Sequence, residues 1–131
     1  MRYLLDTNVW IWSVDAPEKI PLKARSLMND PANDPLGLAS ISSWEVAKKA
    51  SIGKLKLGLP VDEWMGVATT RGLELLPLTP EIALVSANLP DGFKSDPADE
   101  IIVATARFHN FTLITSDKRI QRYRHVKTLW R

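Results

Sequence analysis

The chain has 131 residues, of which 45% are hydrophobic and 24% charged, and its formal net charge is +2. This length suits one domain, residues 1–131, because two domains would each be too small to bury a sufficient core. The absence of cysteine excludes a disulfide scaffold, a thiol nucleophile and a cysteine-based zinc site. No segment approaches the ~20 apolar residues of a membrane span, and the first apolar run breaks at Asp6. We therefore expect a cytoplasmic protein.

The chain opens on a strand followed by a helix. Arg2–Leu5 (RYLL) has one arginine followed by a short apolar run and predicts a buried strand, and Asp6 and Thr7 then supply N-cap chemistry for a helix. A short helix at 23–29 and a second strand at 36–39 follow between prolines. The first part of the chain therefore alternates strand and helix.

A capping-box spacing marks the next helix. Ser42 and Glu45 have the S-x-x-E pattern, which predicts a helix that begins at Ser42 and ends near Gly53. The remaining predicted elements, in chain order, are a helix at 61–71, a strand at 73–76, a helix at 80–88, a turn at 90–92, a helix at 96–109, a strand at 111–115, a short basic helix after Asp117 and an edge strand at 126–130. Strands that alternate with helices predict an α/β fold with a parallel sheet covered on both faces.

Two acids follow predicted strands directly or nearly so. Asp6 ends the run LLD and Asp117 ends LITSD, and the carboxyl ends of parallel strands meet at the edge of the sheet where ligands bind. Each acid alone is better explained as a helix N-cap. Their matching placement favours a shared site.

Asp99 lies on a helical stripe with apolar neighbours. Ile102, Val103 and Ala106 are three, four and seven residues further on, so the Asp99 carboxylate faces inward. A buried charge needs a cation, a dipole or a metal as partner. The alternative is that the first turn of the helix tolerates it, with Asp96 as the N-cap.

Glu45 taken alone is explained by the capping box and by an ion pair with Lys49 one turn later. Together with the other acids, Glu45 is instead a candidate metal ligand. Four converging carboxylates repel one another unless a hard cation neutralises them. Mg²⁺ or Mn²⁺ suits such oxygen ligands. The two histidines, His109 and His125, fall outside the acidic segments, which disfavours a paired-histidine nuclease.

Four segments, in order, resemble the PIN domain, and within it the VapC-like toxins of bacterial toxin–antitoxin pairs. They are LLDTNVWIW, SISSWEVAKKASIGKLKL, SDPADEIIVATAR and LITSDKRI. The resemblance implies an α/β/α sandwich, Mg²⁺- or Mn²⁺-dependent endonuclease activity on RNA, a VapB-like antitoxin partner and a homodimer. The family's acids fall on Asp6, Glu45, Asp99 and Asp117, with Asp96 as a secondary metal candidate. The polar positions that orient metal, water or phosphate fall on Thr7, Asn8, Ser42 and Ser116.

Two positions depart from many relatives, which have an arginine at Glu100 and a histidine at Lys94. These departures leave the metal site intact but remove any basis for transferring a particular RNA target. Our hypothesis is that the four acids bind one or two metal ions and activate water for in-line attack, leaving 5′-phosphate and 3′-hydroxyl ends. The candidate contacts to the RNA backbone are Lys48, Lys49, Lys54, Arg119, Arg122 and Arg124.

The sequence has five tryptophans, and most are expected in the core. In relatives, the segments around Trp44 and Trp64 dock the antitoxin, so one or both are candidate anchors for a partner. Three other functions remain open at this level: a housekeeping PIN nuclease, a Mg²⁺-binding phospho-acceptor domain, and a PIN fold that only binds. The single acid in LLDTN and the lack of an acceptor in LGLAS disfavour the second.

Overall fold

The computed structural model of the chain describes residues 2–70 and 72–131 and contains one five-stranded parallel sheet. The strands are β1 (Tyr3–Leu5), β2 (Leu36–Ala39), β3 (Leu73–Leu76), β4 (Thr112–Ile114) and β5 (Thr128–Leu129). Their order across the sheet is β3-β2-β1-β4-β5, and each neighbouring pair is parallel. Because the chain leaves β1 to one side and later returns to its other side at β4, the switch point lies beside β1.

Seven helices connect and cover these strands in the described part of the chain. They are α1 (Thr7–Asp15), α2 (Leu22–Asn29), α3 (Ser40–Ser51), α4 (Val61–Ala68), α5 (Pro80–Ala87), α6 (Pro97–His109) and α7 (Lys118–Arg122). Short 3₁₀ turns occur at Pro17–Lys19, Pro31–Asn33 and Pro90–Gly92. No helix among the described residues is long and apolar enough to cross a membrane.

The two faces of the sheet carry separate hydrophobic cores. Leu4 and Leu113 pack in one core with residues of α5 and α6, whereas Leu5 and Ile114 pack in the other with residues of α1 to α4. Successive side chains of a strand point to opposite faces, so each central strand supplies both cores. The expectation of an α/β fold with helices on both faces is confirmed.

The predicted capping box is wrong. Helix α3 begins at Ser40, two residues before Ser42, and its N-cap residue Ala39 makes no side-chain capping bond. Ser42 is fully buried inside the helix, where its Oγ lies 2.8 Å from the Thr7 Oγ1. Ser42 therefore does not cap α3. Its side chain makes a tertiary hydrogen bond to Thr7 at the start of α1.

Helix α4 is shorter than its predicted range of 61–71, whose end at Arg71 lies outside the described residues. The helix stops at Ala68, and the hydroxyls of Thr69 and Thr70 donate to the carbonyls of Met65 and Val67. Such side chains compete with the helical backbone for its hydrogen bonds, which favours an early end. The last two strands are also shorter than predicted.

The tryptophans divide between core and surface. Trp10 and Trp64 are both 0% exposed, with ring centroids 4.9 Å apart in an edge-to-face contact, and Trp64 donates to Asp15 over 3.0 Å. Trp12 and Trp130 are partly buried against each other. Trp44 is 58% exposed. The expectation that Trp64 anchors a partner is wrong, because no surface of its side chain is accessible.

Trp64→Ala is expected to lower the free energy of unfolding by about 3–5 kcal/mol, because it leaves a cavity beside Trp10 and removes the hydrogen bond to the Asp15 Oδ1. The control is Trp44→Ala, which should change it by less than about 0.5 kcal/mol. Urea unfolding followed by circular dichroism measures both. Equal losses in the two variants would contradict this division between core and surface.

Candidate active site

A cavity of about 230 Å³ opens at the carboxyl edge of the sheet, between the loops that follow β1 and β4, the middle of α3 and the N-terminal end of α6. It is lined by Asp6, Thr7, Asn8, Glu45, Lys49, Asp96, Asp99, Ser116 and Asp117. The structure thus brings together all five predicted acids and three of the four predicted polar residues. The fourth, Ser42, lies buried behind Thr7.

Asp6 sits at the centre of the sheet edge, where β1 passes into α1. It is 8% exposed, and its carboxylate accepts hydrogen bonds from the Thr7 backbone N–H at 2.9 Å and from the Thr115 hydroxyl at 2.6 Å. Burial raises the pKa of Asp6 above 3.8. The two hydrogen bonds oppose that shift, whereas the charges of Glu45 and Asp117 add to it. This carboxylate is therefore costly to ionise without a nearby cation.

Glu45 has one paired and one unpaired carboxylate oxygen. Its Oε2 accepts from the Lys49 Nζ at 2.7 Å, as expected from their spacing on α3. Its Oε1 is buried and has no hydrogen-bond partner among the described residues. The hydrogen bond to Glu45 raises the pKa of Lys49, and the charges of Asp96 and Asp99 contribute. Lys49 thus supplies positive charge to the cavity but leaves one Glu45 oxygen unsatisfied.

Asp99 lies in the first turn of α6 and is partly buried, as its apolar stripe predicted. Its Oδ2 accepts from the Ser95 hydroxyl at 2.7 Å. Burial raises the pKa of Asp99 to about 6; the Ser95 bond opposes the shift, and the charges of Asp96, Asp6 and Glu45 add to it. Asp96 is exposed and caps α6 by accepting from the Asp99 N–H at 2.9 Å.

Sequence reasoning missed Thr115 and Ser95. The Thr115 hydroxyl is fully buried and joins two acids, because it donates to Asp6 and accepts from the Asp117 N–H at 3.0 Å. A threonine two residues before an acid at a strand end is typical of a side-chain turn, and that signal was available. No local pattern marked Ser95, which reaches Asp99 from the loop before α6.

The predicted RNA contacts lie at different places. Lys49 lines the acidic cavity, whereas Lys48, Lys54 and Arg122 are exposed outside it. The Arg119 guanidinium donates to the Lys94 carbonyl.

Arg124 pairs with Asp91 at 3.3 Å. Glu100, where many relatives have an arginine, accepts from the Ser95 N–H at 2.9 Å and so helps to hold the loop that carries Ser95. Arg124 and Glu100 are therefore both held by contacts within the fold.

The donor set of the cavity fits a hard divalent cation. As the side chains stand, no three acidic or histidine side chains among the described residues are grouped closely enough to hold one ion. The Oε1 of Glu45 is nevertheless buried without a partner, and burial, with a smaller contribution from neighbouring carboxylates, raises the pKa values of Asp6 and Asp99. A cation would stabilise the ionised form of each of these acids. Oxygen-only donors are the ligands that Mg²⁺ and Mn²⁺ prefer.

A larger cavity, of about 540 Å³, lies between α1, α2 and α4 and includes Trp10, Met28 and Leu36. Its described lining contains no cluster of titratable groups like that at the sheet edge, so the smaller acidic cavity is the better candidate for catalysis.

The fold and the acidic edge define a class of small α/β proteins with carboxylates at a topological switch point. The PIN domain family matches residues 3–126, and this chain belongs to it. It is 33% identical to Ribonuclease VapC22 of Mycobacterium tuberculosis (strain ATCC 25618 / H37Rv), over 97% of each chain.

Solved structures share the fold. VapBC2 from Rickettsia felis, bound to a DNA fragment from its promoter, aligns with a TM-score of 0.75 at 18% identity over 100% of both chains. VapBC-1 from nontypeable Haemophilus influenzae aligns with a TM-score of 0.72 at 23% identity, over 98% of this chain and 97% of that one.

The raised pKa of Asp99 makes the stability of the metal-free protein depend on pH. Its folded-state pKa of about 6 exceeds the ordinary 3.8, so the folded chain binds this proton more tightly than the unfolded chain does. The contribution of Asp99 to stability is therefore present at low pH and is lost as the pH rises from the unfolded pKa of 3.8 through the folded-state pKa of about 6. Asp99→Asn keeps an acceptor for Ser95 and should be more stable than the parent at pH 7 by about 1–2 kcal/mol, allowing for solvent screening.

Urea unfolding in EDTA at pH 7 and near pH 4 measures this difference, which should be much smaller at the lower pH. The matched control is Asp62→Asn, at an exposed position on α4, which should change stability by less than about 0.5 kcal/mol. A destabilised Asp99→Asn at pH 7 would contradict the burial of an unfavourable charge at this position.

Proposed function

We propose that this chain is a metal-dependent endoribonuclease and the toxin of a toxin–antitoxin pair. The observation that carries the proposal is a cavity lined by five acidic residues, including Glu45 with its buried and unpartnered Oε1, at the switch point of a PIN fold. A relative that matches over 97% of each chain, at 33% identity, is named a ribonuclease. An RNA substrate is consistent with action in the cytoplasm.

Asp6, Glu45, Asp99 and Asp117 would hold Mg²⁺ or Mn²⁺, with Asp96 at the exposed rim as a fifth candidate. Such a cation would neutralise these carboxylates and would supply an activated water for attack on phosphorus, with 5′-phosphate and 3′-hydroxyl ends as the expected products.

The remaining work belongs to the chain's own side chains. Thr115 fixes the orientation of Asp6 by its 2.6 Å bond, and Ser95 fixes that of Asp99 by its 2.7 Å bond. Lys49 neutralises Glu45 on the side of α3. Because Asp6 and Glu45 are 8% and 7% exposed, their charges act with little screening by water. Thr7, Asn8 and Ser116 line the same cavity as polar groups for water or phosphate.

The exposed Lys48, Lys54 and Arg122 support binding of an RNA backbone, because none of them forms an ion pair within the described residues. Arg119 and Arg124 remain proposed contacts, but each would first have to leave a partner in the fold.

We also propose a cognate VapB-like antitoxin and a homodimer. The VapBC assemblies named above are toxin–antitoxin complexes of similarly folded chains. Trp44, 58% exposed on α3, is an aromatic side chain available to an antitoxin. Leu75, Leu78 and Leu84 are 49%, 43% and 68% exposed at the β3 edge and on α5, and supply an apolar surface for a second copy.

Purified protein incubated with total RNA and Mg²⁺ or Mn²⁺ is expected to produce discrete cuts that EDTA abolishes. Asp6→Asn and Glu45→Gln should each lower the cleavage rate by more than ~100-fold, since even residues that only orient metal ligands typically account for about 10–100-fold. Mapping of the 5′ ends identifies the cut sites. Asp62→Asn is the control and should cleave like the parent.

Metal binding can be measured without RNA. Mg²⁺ or Mn²⁺ should raise the melting temperature of the parent and of Asp62→Asn, but not that of Glu45→Gln, because a ligand that binds only the folded state stabilises it. Full cleavage by Asp6→Asn, or the same thermal shift in Glu45→Gln, would overturn the assignment of these residues.

Trp44→Ala is expected to weaken binding of the antitoxin about 30-fold, the effect of losing about 2 kcal/mol at an aromatic anchor. Calorimetric titration measures the affinity, and RNA cleavage should be unchanged. Phe108→Ala is the control, because Phe108 is 49% exposed on α6. Equal affinities in both variants would remove Trp44 from the interface.

A further inference from the structure

A second polar cavity adjoins the acidic one. It has a volume of about 520 Å³, lies between α2, α7 and the β5 edge of the sheet, and includes Lys23, Lys118, Gln121 and Trp130 in its wall. Ser116 lines both cavities. Because one residue borders both spaces, a ligand in the second cavity lies directly beside the acidic centre. The volume is within the range of about 300–1,000 Å³ that is typical of sites for small ligands.

The charge of this second cavity is opposite to that of the first. Lys23, Lys118 and Arg131 contribute positive side chains, and no acidic side chain is among the described residues that line it. None of the three pairs with a carboxylate in the part of the chain that the structure describes. Lys23 and Lys118 are both exposed. Unpaired cations on the wall of a cavity favour an anionic ligand.

Trp130 adds an aromatic surface to these cations. Its indole is partly buried and is braced by Trp12, with centroids 6.0 Å apart and planes tilted by 47°. It packs at the border of the core beneath α1 and α2 while lining the cavity. An aromatic ring held in place beside unpaired lysines is the combination that binds one nucleotide of a single strand, the ring taking the base and the cations the phosphate.

We propose that this cavity is a subsite for a nucleotide of single-stranded RNA adjacent to the scissile phosphate. The base lies against Trp130, and the phosphate on the far side of that nucleotide lies against Lys23 and Lys118. The proposal rests on the proposed ribonuclease function. It gives the nuclease a preference for unpaired RNA, because a base inside a duplex is not free to stack on the indole.

The electrostatic half is tested by binding rather than by cleavage. In an Asp6→Asn background, the affinity for a short single-stranded RNA that spans a mapped cut site is measured by fluorescence anisotropy over a range of salt. The double variant Lys23→Ala/Lys118→Ala should reduce the slope of log K against log salt by about 0.7, the effect of one phosphate contact on a single strand. The control Lys56→Ala/Lys127→Ala removes the same charge from exposed positions outside both cavities. Its slope should be steeper than that of the Lys23→Ala/Lys118→Ala variant.

The stacking half is tested with RNAs that carry one abasic nucleotide at successive positions around the cut. One abasic position should lower kcat/KM of the parent about tenfold or more, the loss typical of one stacked base. Trp130→Leu should show that loss already with the intact RNA and no further loss at the same position. Phe108→Leu, which removes an aromatic ring elsewhere, should behave like the parent.

The outcomes separate the two proposals. If the parent cleaves no RNA with either metal and Asp6→Asn binds none, the ribonuclease function fails and the subsite with it. If the parent cleaves RNA but the lysine pair behaves like its control, the subsite alone is overturned. The subsite is likewise overturned if the lysine pair loses antitoxin binding while retaining the full salt dependence for RNA. Should Trp130→Leu fail to fold, the exposed lysine pair decides the question by itself.

Discussion

Confinement of like charges is the constraint on which the rest of this structure depends. Asp6 and Glu45 are both more than nine-tenths buried, and the pKa of Asp6 is raised first by its burial and then by the charge of Glu45. Such repulsion between buried acids persists in a folded chain only where the surrounding packing and hydrogen bonds hold the acids in place. The fold therefore has to supply rigidity and partial compensation at the same edge.

Rigidity comes from the central strand and its two cores. Strand β1 has only three residues, yet Leu4 and Leu5 are each almost completely buried, one in each core. The next residue is Asp6, so the charged group is attached to the part of the sheet that is least free to move. Its backbone N–H donates to the Ile114 carbonyl at 3.0 Å, which ties it also to β4.

The charges of Asp96 and Asp117 are partly compensated by backbone N–H groups at the starts of their helices, which bond to only one oxygen of each carboxylate. Asp96 and Asp117 cap their helices, and each accepts its capping hydrogen bonds through Oδ1, at 2.9 Å for Asp96 and at 2.8 Å for the shorter bond of Asp117. A carboxylate has two oxygens and several lone pairs, so a capping role does not exhaust it. The structural and the functional interpretations of an acid at a helix start are therefore compatible here.

Sequence periodicity by itself determined most of the framework. Runs such as 36–39 and 73–76 match their strands, the acids at positions 6, 96 and 117 are helix N-caps as expected, and Asp99 faces inward. These features are local, because they depend on the two-residue and 3.6-residue repeats and on hydrogen bonds within one turn.

Only the tertiary structure decided which groups meet. Thr7 pairs with Ser42 across 35 positions and Asp6 with Thr115 across 109, while Lys23 reaches the same cavity as Trp130. Such contacts depend on strand register and on the packing of helices against the sheet, and no local pattern contains that information.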